Sequence, residues 1–285
     1  MTSRPASALA RRWQQAGPLP GFGLTMGVTL TWLSLIVLIP LLALLVKAAG
    51  LGPHGWWAIA SDARVLAAMK LSFGSALIAA MIDAVIGTLI AWALVRYRFP
   101  GRTLFDALID LPFALPTAVA GIALTAIYAG NGWLGHGLEA AGIKIAYAPA
   151  GIVVALLFVG LPFAVRTLQP VLESLHHEHE EAAASLGADR FTTLYKVVLP
   201  QILPAMLTGF SLAFARGVGE YGSVIFIAGN LPYVSEIAPL LIVIRLEEFD
   251  YHGATVIATL MLGASFLILF LVNTLQRRLA RGQPA

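Results

Sequence analysis

The chain has 285 residues, of which 59% are hydrophobic and 12% charged, with a net charge of +3 and no cysteine. A mean hydropathy of +0.83 excludes an ordinary soluble domain, in which charged residues make up about a quarter of the chain. The missing cysteines exclude disulfides, thiolate metal sites and cysteine nucleophiles, and the basic residues lie in short clusters between apolar runs, a sign of membrane topology rather than of a nucleic-acid surface.

Arg4, Arg11 and Arg12 precede the first apolar run, as they would in a signal peptide. That run, Leu24–Val46, has 23 residues, well beyond an h-region of roughly 7–15, and reads as a retained first span. Five further runs follow: Leu71–Val95, Leu111–Gly130, Ile145–Val165, Ile202–Ala228 and Gly253–Val272. A helix needs about 20 apolar residues to cross the hydrocarbon core, so the chain reads as an all-α polytopic membrane protein with six transmembrane helices. The apolar stretch "IAPLLIVI" (Ile237–Ile244) has only eight residues and fits a re-entrant or interfacial segment. No internal repeat or soluble-domain linker is present. The expected organisation is one transmembrane domain over 24–275, between an N-terminal tail (1–23) and a C-terminal tail (276–285).

Six spans place both tails, the second loop and the fourth loop on one side. That side carries twelve basic residues: Arg4, Arg11, Arg12, Arg96, Arg98, Arg102, Arg166, Arg190, Lys196, Arg277, Arg278 and Arg281. The other side carries five, namely Lys47, Arg64, Lys70, Lys144 and Arg245. The excess of Lys and Arg marks the cytoplasmic side, which puts both termini in the cytoplasm.

The fourth loop, about 168–200, is mostly polar yet helix-prone through "VLESLHHEHEEAAASLG". Gly187 is placed to end that helix at positive φ. "ADRFTTLYKVVLP" can form a second short helix, with Pro200 and Pro204 breaking or kinking the entry to span five. Ala182 and Ala183 leave a shallow face, and Phe191, Leu194 and Tyr195 offer apolar surface that is costly to leave in water. The expectation is a docking hairpin for another protein. Within "LHHEHEE", His176, His179 and Glu180 share a helical face at a spacing that metal ligands can use. No fixed scaffold accompanies them, so a solvated helix face is the preferred reading.

Glu181-Ala182-Ala183, three residues, Gly187, nine residues, Val197, one residue, then Leu199-Pro200 resembles the EAA motif of ABC importer permeases, E-A-A-x3-G-x9-I-x-L-P, with Val197 in place of isoleucine. The resemblance implies a type I (MetI-like) importer permease fold, with a core of about 66–275, in which this loop docks on a cytoplasmic ATPase subunit. A narrower resemblance rests on "RYRFPGRTLFDALIDLPFALPTAVAGIAL" (Arg96–Leu124), "PFAVRTLQPVLE" (Pro162–Glu173), "RGVGEYGSVIFIAGN" (Arg216–Asn230) and "VIRLEEFDYHGA" (Val243–Ala254). These stretches are similar to the T-type (CysT, or CysU) permeases of sulfate/thiosulfate ABC importers. Molybdate permeases share the Leu-Pro repeats but usually lack the full string. The resemblance implies residence in a bacterial inner membrane, a second W-type (CysW-like) permease, two ATPase subunits and an extracytoplasmic sulfate-binding protein as partners. It implies no cofactor on this chain. No G-x-x-x-x-G-K-[ST] phosphate loop occurs, so ATP is expected to be used by the partner ATPase, and the chain itself is expected to be non-catalytic.

Candidate pathway or gate residues are Pro112, Pro116, Gly121, Arg216 and Glu220. The prolines remove backbone donors at the start of span three, either as simple helix-entry residues or because they line a pathway. Gly121 permits close helix approach. Arg216 and Glu220 stand one turn apart in span five, within reach of an ion pair. Arg216 either draws in an anion or neutralises Glu220 as a structural pair or gate, the second being preferred. Asp83 in span two is expected to be hydrogen-bonded inside the bundle. A self-sufficient secondary anion transporter would carry inverted repeats, and a membrane enzyme would carry a nucleophile–base set or a ligand cluster. Neither feature is visible.

Overall fold

The computed structural model describes residues 22–281 except His176. Among the described residues, five helices are long and apolar enough to cross a membrane: α1 (Phe22–Ala49), α3 (Ala63–Arg96), α8 (Pro149–Ser174), α10 (Arg190–Val218) and α13 (Tyr251–Arg281, apolar to Thr274). Between them lie shorter helices: α2 (Gly52–Ala60), α4 (Arg102–Ile109), α5 (Leu111–Ala114), α6 (Thr117–Tyr128), α7 (Gly135–Ala140), α9 (His177–Ser185), α11 (Val224–Ile227) and α12 (Ala238–Glu247).

Helices α3, α8 and α10 form the centre of the bundle. Apolar helices in lipid gain little from hydrophobicity itself, so their association depends on small residues that admit close packing. A Cβ added at Gly87 on α3 would lie 2.6 Å from the Ala164 Cβ on α8, and one at Gly209 on α10 would lie 3.0 Å from the Ala164 Cα. Farther along the same helices Ile152, Leu156 and Phe214 fill a buried core. Helix α1 differs, since Ala48 is its one buried residue. It touches α13 and, at its end, α2, and otherwise presents an apolar circumference suited to lipid.

Prolines within spans act in two ways. The Ile39 N–H reaches back five residues to the Ser34 carbonyl just before Pro40, and the Leu199 N–H does the same to Leu194 just before Pro200. The widened turn absorbs the missing donor and the ring's push on the preceding turn, so both helices continue. The expected short second helix of the fourth loop is therefore the first part of α10, joined to the span without a break. Its first helix is also shorter than expected, because α8 ends at Ser174 and α9 begins at His177.

The third expected span is interrupted. Leu115 and Pro116 are extended between α5 and α6, and the 12 residues of α6 reach only about 18 Å against a hydrocarbon core of about 30 Å. The fifth span stops at Val218, and after a turn over 219–223 the chain forms α11. The short apolar stretch near 240 is the helix α12, packed on α13 and α3 through buried Ala238, Leu240 and Leu241. Its first amide is satisfied by Ser72, whose Oγ accepts the Ala238 N–H at 2.8 Å. Arg64 donates to both oxygens of buried Glu236 at 2.8 and 2.7 Å, tying α3 to the entry of α12. Asp83 is buried as expected, but its Oδ2 has no hydrogen-bond partner among the described residues.

Candidate functional site

The fourth-loop motif folds as a hairpin with a defined hinge. Ala188 donates its N–H to the Ala183 carbonyl at 3.0 Å, and Gly187 donates to Ala184 at 3.0 Å. This pair of bonds closes a helix whose following residue is left-handed, and Gly187 has φ +84°. Asp189 then caps α10, its carboxylate accepting the Thr192 N–H at 2.8 Å. The hydrogen bonds from Thr192 hold the Asp189 carboxyl below its ordinary value. The motif's glycine and the residues around it thus specify a tight reversal between α9 and α10.

One side of the hairpin is anchored and the other is open. Val198, Leu172 and Leu175 are buried together. Glu180 takes an ion pair from Arg96 at the end of α3, and the Arg96 guanidinium lies 5.1 Å from the Trp92 ring centre. The opposite side displays Leu186 (88% exposed), Phe191 (74%) and Tyr195 (63%), while Leu194 lines a cleft with Trp92, Glu180 and Val198. Phe191 and Tyr195 stack with nearly parallel rings, 6.5 Å between centres. Glu181 and Ala182 are exposed beside them, Ala183 is half-buried, Val197 and Leu199 are half-buried at the root, and Pro200 is exposed. Of the suggested metal face, Glu180 is engaged by Arg96, and His176 lies outside the described residues.

The second candidate region lies where the two interrupted helices cross. A Cβ at Gly121 on α6 would stand 2.3 Å from the Ser223 carbonyl oxygen, and one at Gly222 would stand 2.2 Å from the Thr117 Oγ1. The 219–223 turn therefore lies directly against the first turns of α6. Glu220, fully buried, accepts the Ser223 N–H and Oγ–H, each at 2.9 Å, and its other oxygen pairs with Arg216. Every oxygen of that carboxylate is satisfied, as a buried charge requires. The pair holds the turn where α10 ends. Pro116, Gly121, Arg216 and Glu220 thus fall in one neighbourhood. Pro112 belongs to α5, before the break, and the neighbouring Phe113 packs edge-on against Phe163 of α8 at 5.1 Å.

A third cluster escaped the sequence reading. Arg166 on α8 donates to Asp110 at 2.7 and 2.6 Å, and to the Asp106 side chain at 2.7 Å and its carbonyl at 2.8 Å. Gln169 adds a bond to Asp106 at 3.1 Å. Hydrogen bonds from Arg166 and then Gln169 hold the Asp106 carboxyl below its ordinary value. The cluster fixes α4 and the start of α5 against α8, ahead of the Leu115–Pro116 break. Arg166 stands 60 and 56 residues from Asp106 and Asp110 in the chain, and nothing local in the sequence pairs them.

Residues 83–283 match the family described as binding-protein-dependent transport system inner membrane component. Among curated relatives, the sulfate transport system permease protein CysT of Escherichia coli K12 is 50% identical over 263 residues, covering 92% of this chain and 95% of that protein. The protein of the same name from Synechocystis is 45% identical over 276 residues, covering 97% and 96%. Among solved structures, a bacterial ABC transporter involved in the import of the acidic polysaccharide alginate superposes with a TM-score of 0.73 at 13% identity, covering 95% of this chain and 97% of that one. The MetNI methionine ABC transporter in an inward-facing conformation gives 0.56 at 17% identity, over 75% and 96%. The interrupted bundle and the tight α9–α10 hairpin are the form this family takes here, and the chain belongs to the binding-protein-dependent transport system inner membrane components.

Proposed function

We propose that this chain is the T-type permease subunit of an ATP-driven sulfate/thiosulfate importer, with both termini and the α9–α10 hairpin in the cytoplasm. The observation that carries the reading is identity of about half to proteins named as sulfate transport permeases, maintained over nearly the whole of both chains. The partners are a second, CysW-like permease, two cytoplasmic ATPase subunits and an extracytoplasmic sulfate-binding protein. One transmembrane domain spans about 24–275, with 168–200 as its coupling segment.

In this proposal Glu181, Ala182, Ala183, Gly187, Val197, Leu199 and Pro200 form or shape the docking hairpin, and the exposed Leu186, Phe191 and Tyr195 fill a groove on the ATPase. The route from that dock into the membrane is direct. Helix α10 runs for 29 residues without a break, about 43 Å at 1.5 Å per residue, and ends at Arg216, Glu220 and the crossing with α6. When ATP draws the ATPase subunits together, a displaced hairpin carries α10 with it, and the α6 crossing is where that displacement meets the permeation route. Pro116 and Gly121 border this gate. Arg216–Glu220 is a structural lock rather than an anion trap, because Glu220 is buried and consumes the guanidinium charge. A strongly held anion would not be released.

The test is labelled-sulfate uptake in cells lacking this chain and cells in which it is restored, with excess molybdate as competitor. Uptake should disappear and return, indifferent to molybdate, and restoration with Arg216→Gln/Glu220→Gln should recover a substantial part of it. Loss of molybdate accumulation with intact sulfate uptake would contradict the substrate. A folded double variant with no uptake would show that the charges themselves are required for transport and would contradict a merely structural pair.

A further inference from the structure

A cleft of about 440 Å³ opens beside the hairpin, between the end of α3 (Val95, Arg96), the turn into α4 (Arg98, Arg102) and the end of α8 (Leu172, Glu173). Three guanidinium groups meet one carboxylate there. Arg96 is engaged by Glu180. Arg98 and Arg102 are exposed, and their side chains make no hydrogen bond or ion pair among the described residues. The fold thus brings three guanidinium groups to one cleft, holds Arg96 by Glu180, and leaves the positive charge only partly neutralised.

Helix α4 supplies the second observation. Its Asp106 is held by Arg166, and Ile109 is buried, so its orientation is set. The outward side is consequently apolar, with Leu104 at 63%, Phe105 at 56% and Leu108 at 50% exposure. Phe105 also meets Phe99 edge-on at 6.0 Å, which joins the apolar side to the turn that carries Arg98. A helix with a basic start and an apolar outer face, at the end of a transmembrane segment, lies in the interface plane with its apolar side among acyl chains. The cleft then stands at headgroup depth.

We propose that this cleft binds the phosphate of an anionic phospholipid of the cytoplasmic leaflet, with Arg98 and Arg102 as its ligands and Leu104, Phe105 and Leu108 against an acyl chain. Arginine presents a planar fork of donors that matches phosphate oxygens, and juxtamembrane basic clusters on the cytoplasmic side favour anionic lipid. Arg96 borders the same cleft and grips Glu180 of α9, so an occupied cleft steadies the docking hairpin. The leaflet rests on the orientation proposed above; the binding itself does not.

The complete transporter, stripped of lipid in detergent, is the material for the test, with retained lipid counted by native mass spectrometry. Phosphatidylglycerol should be retained at least tenfold better than phosphatidylcholine. Arg98→Gln/Arg102→Gln should abolish that preference, and Lys144→Gln, on the opposite side, should keep it. Equal retention by the wild type and the double arginine variant would overturn the proposal. Displacement of the lipid by millimolar inorganic phosphate would overturn the lipid assignment and leave a soluble oxyanion site. Thr103→Cys, in this cysteine-free chain, reports the leaflet through impermeant thiol labelling of sealed vesicles: labelling from the outer side with lipid preference intact would refute the orientation and not the site.

Discussion

Gly187→Arg is expected to abolish co-purification of the chain with the ATPase subunit while leaving its amount in the membrane unchanged. At φ +84°, with no atom within 4 Å of a would-be Cβ, Gly187 is needed for its backbone conformation and not for space. A side chain in the left-handed region costs about 1–2 kcal/mol per residue. That is too little to unfold the bundle, but it is applied at the reversal between α9 and α10. The hydrogen bonds to Ala183 and Ala184 loosen, and a long cation is placed beside exposed Leu186. Gly187→Asn is the control, since asparagine enters the left-handed region readily and should keep association near the wild-type level. Normal recovery of the ATPase with Gly187→Arg would place the dock elsewhere.

The crossing of α6 with the 219–223 turn yields the second large effect. Gly121→Ala places a methyl group 2.3 Å from a backbone oxygen of Ser223, where nothing can rotate away. Overpacking of this kind costs about 1–3 kcal/mol, and the two interrupted helices must separate to accept it. Sulfate uptake should fall at least about tenfold, a factor worth about 1.4 kcal/mol, while the hairpin still recovers the ATPase. Gly222→Ala makes a comparable clash, but with the Thr117 hydroxyl. Adding Thr117→Ala should therefore rescue Gly222→Ala and fail to rescue Gly121→Ala. Full uptake by Gly121→Ala would show that the crossing bears no relation to transport.

Hydropathy made the long helices legible, because each buries or exposes apolar surface along its whole length. The motif spacing likewise located Gly187 and the polar hairpin. The helix breaks were harder to read. Pro40, Pro200 and Pro116 stand in similar apolar surroundings, yet the first two are absorbed by a widened turn and only the third ends a helix. The difference is tertiary: Leu115–Pro116 lies where α6 must pass the Gly222–Ser223 backbone. The run to Ala228 is continuous in hydropathy, so the turn at 219–223 was hidden, although glycines at 217, 219 and 222 around Glu220 were a signal in retrospect. Of the candidate residues, Arg216 with Glu220 could be paired from helical spacing alone. Arg96 with Glu180 and Arg166 with Asp106 and Asp110 could not, because their separations of 84, 60 and 56 residues carry no period.

The account turns on ATP driving sulfate through this chain by way of the hairpin. Proteoliposomes containing the complete transporter, with ATP enclosed on the hairpin's side and labelled sulfate and binding protein on the other, test it most directly. Sulfate should accumulate only when ATP, binding protein and this chain are all present, and Gly187→Arg should stop it. Accumulation driven by an ion gradient without ATP, or undiminished by Gly187→Arg, would contradict the account.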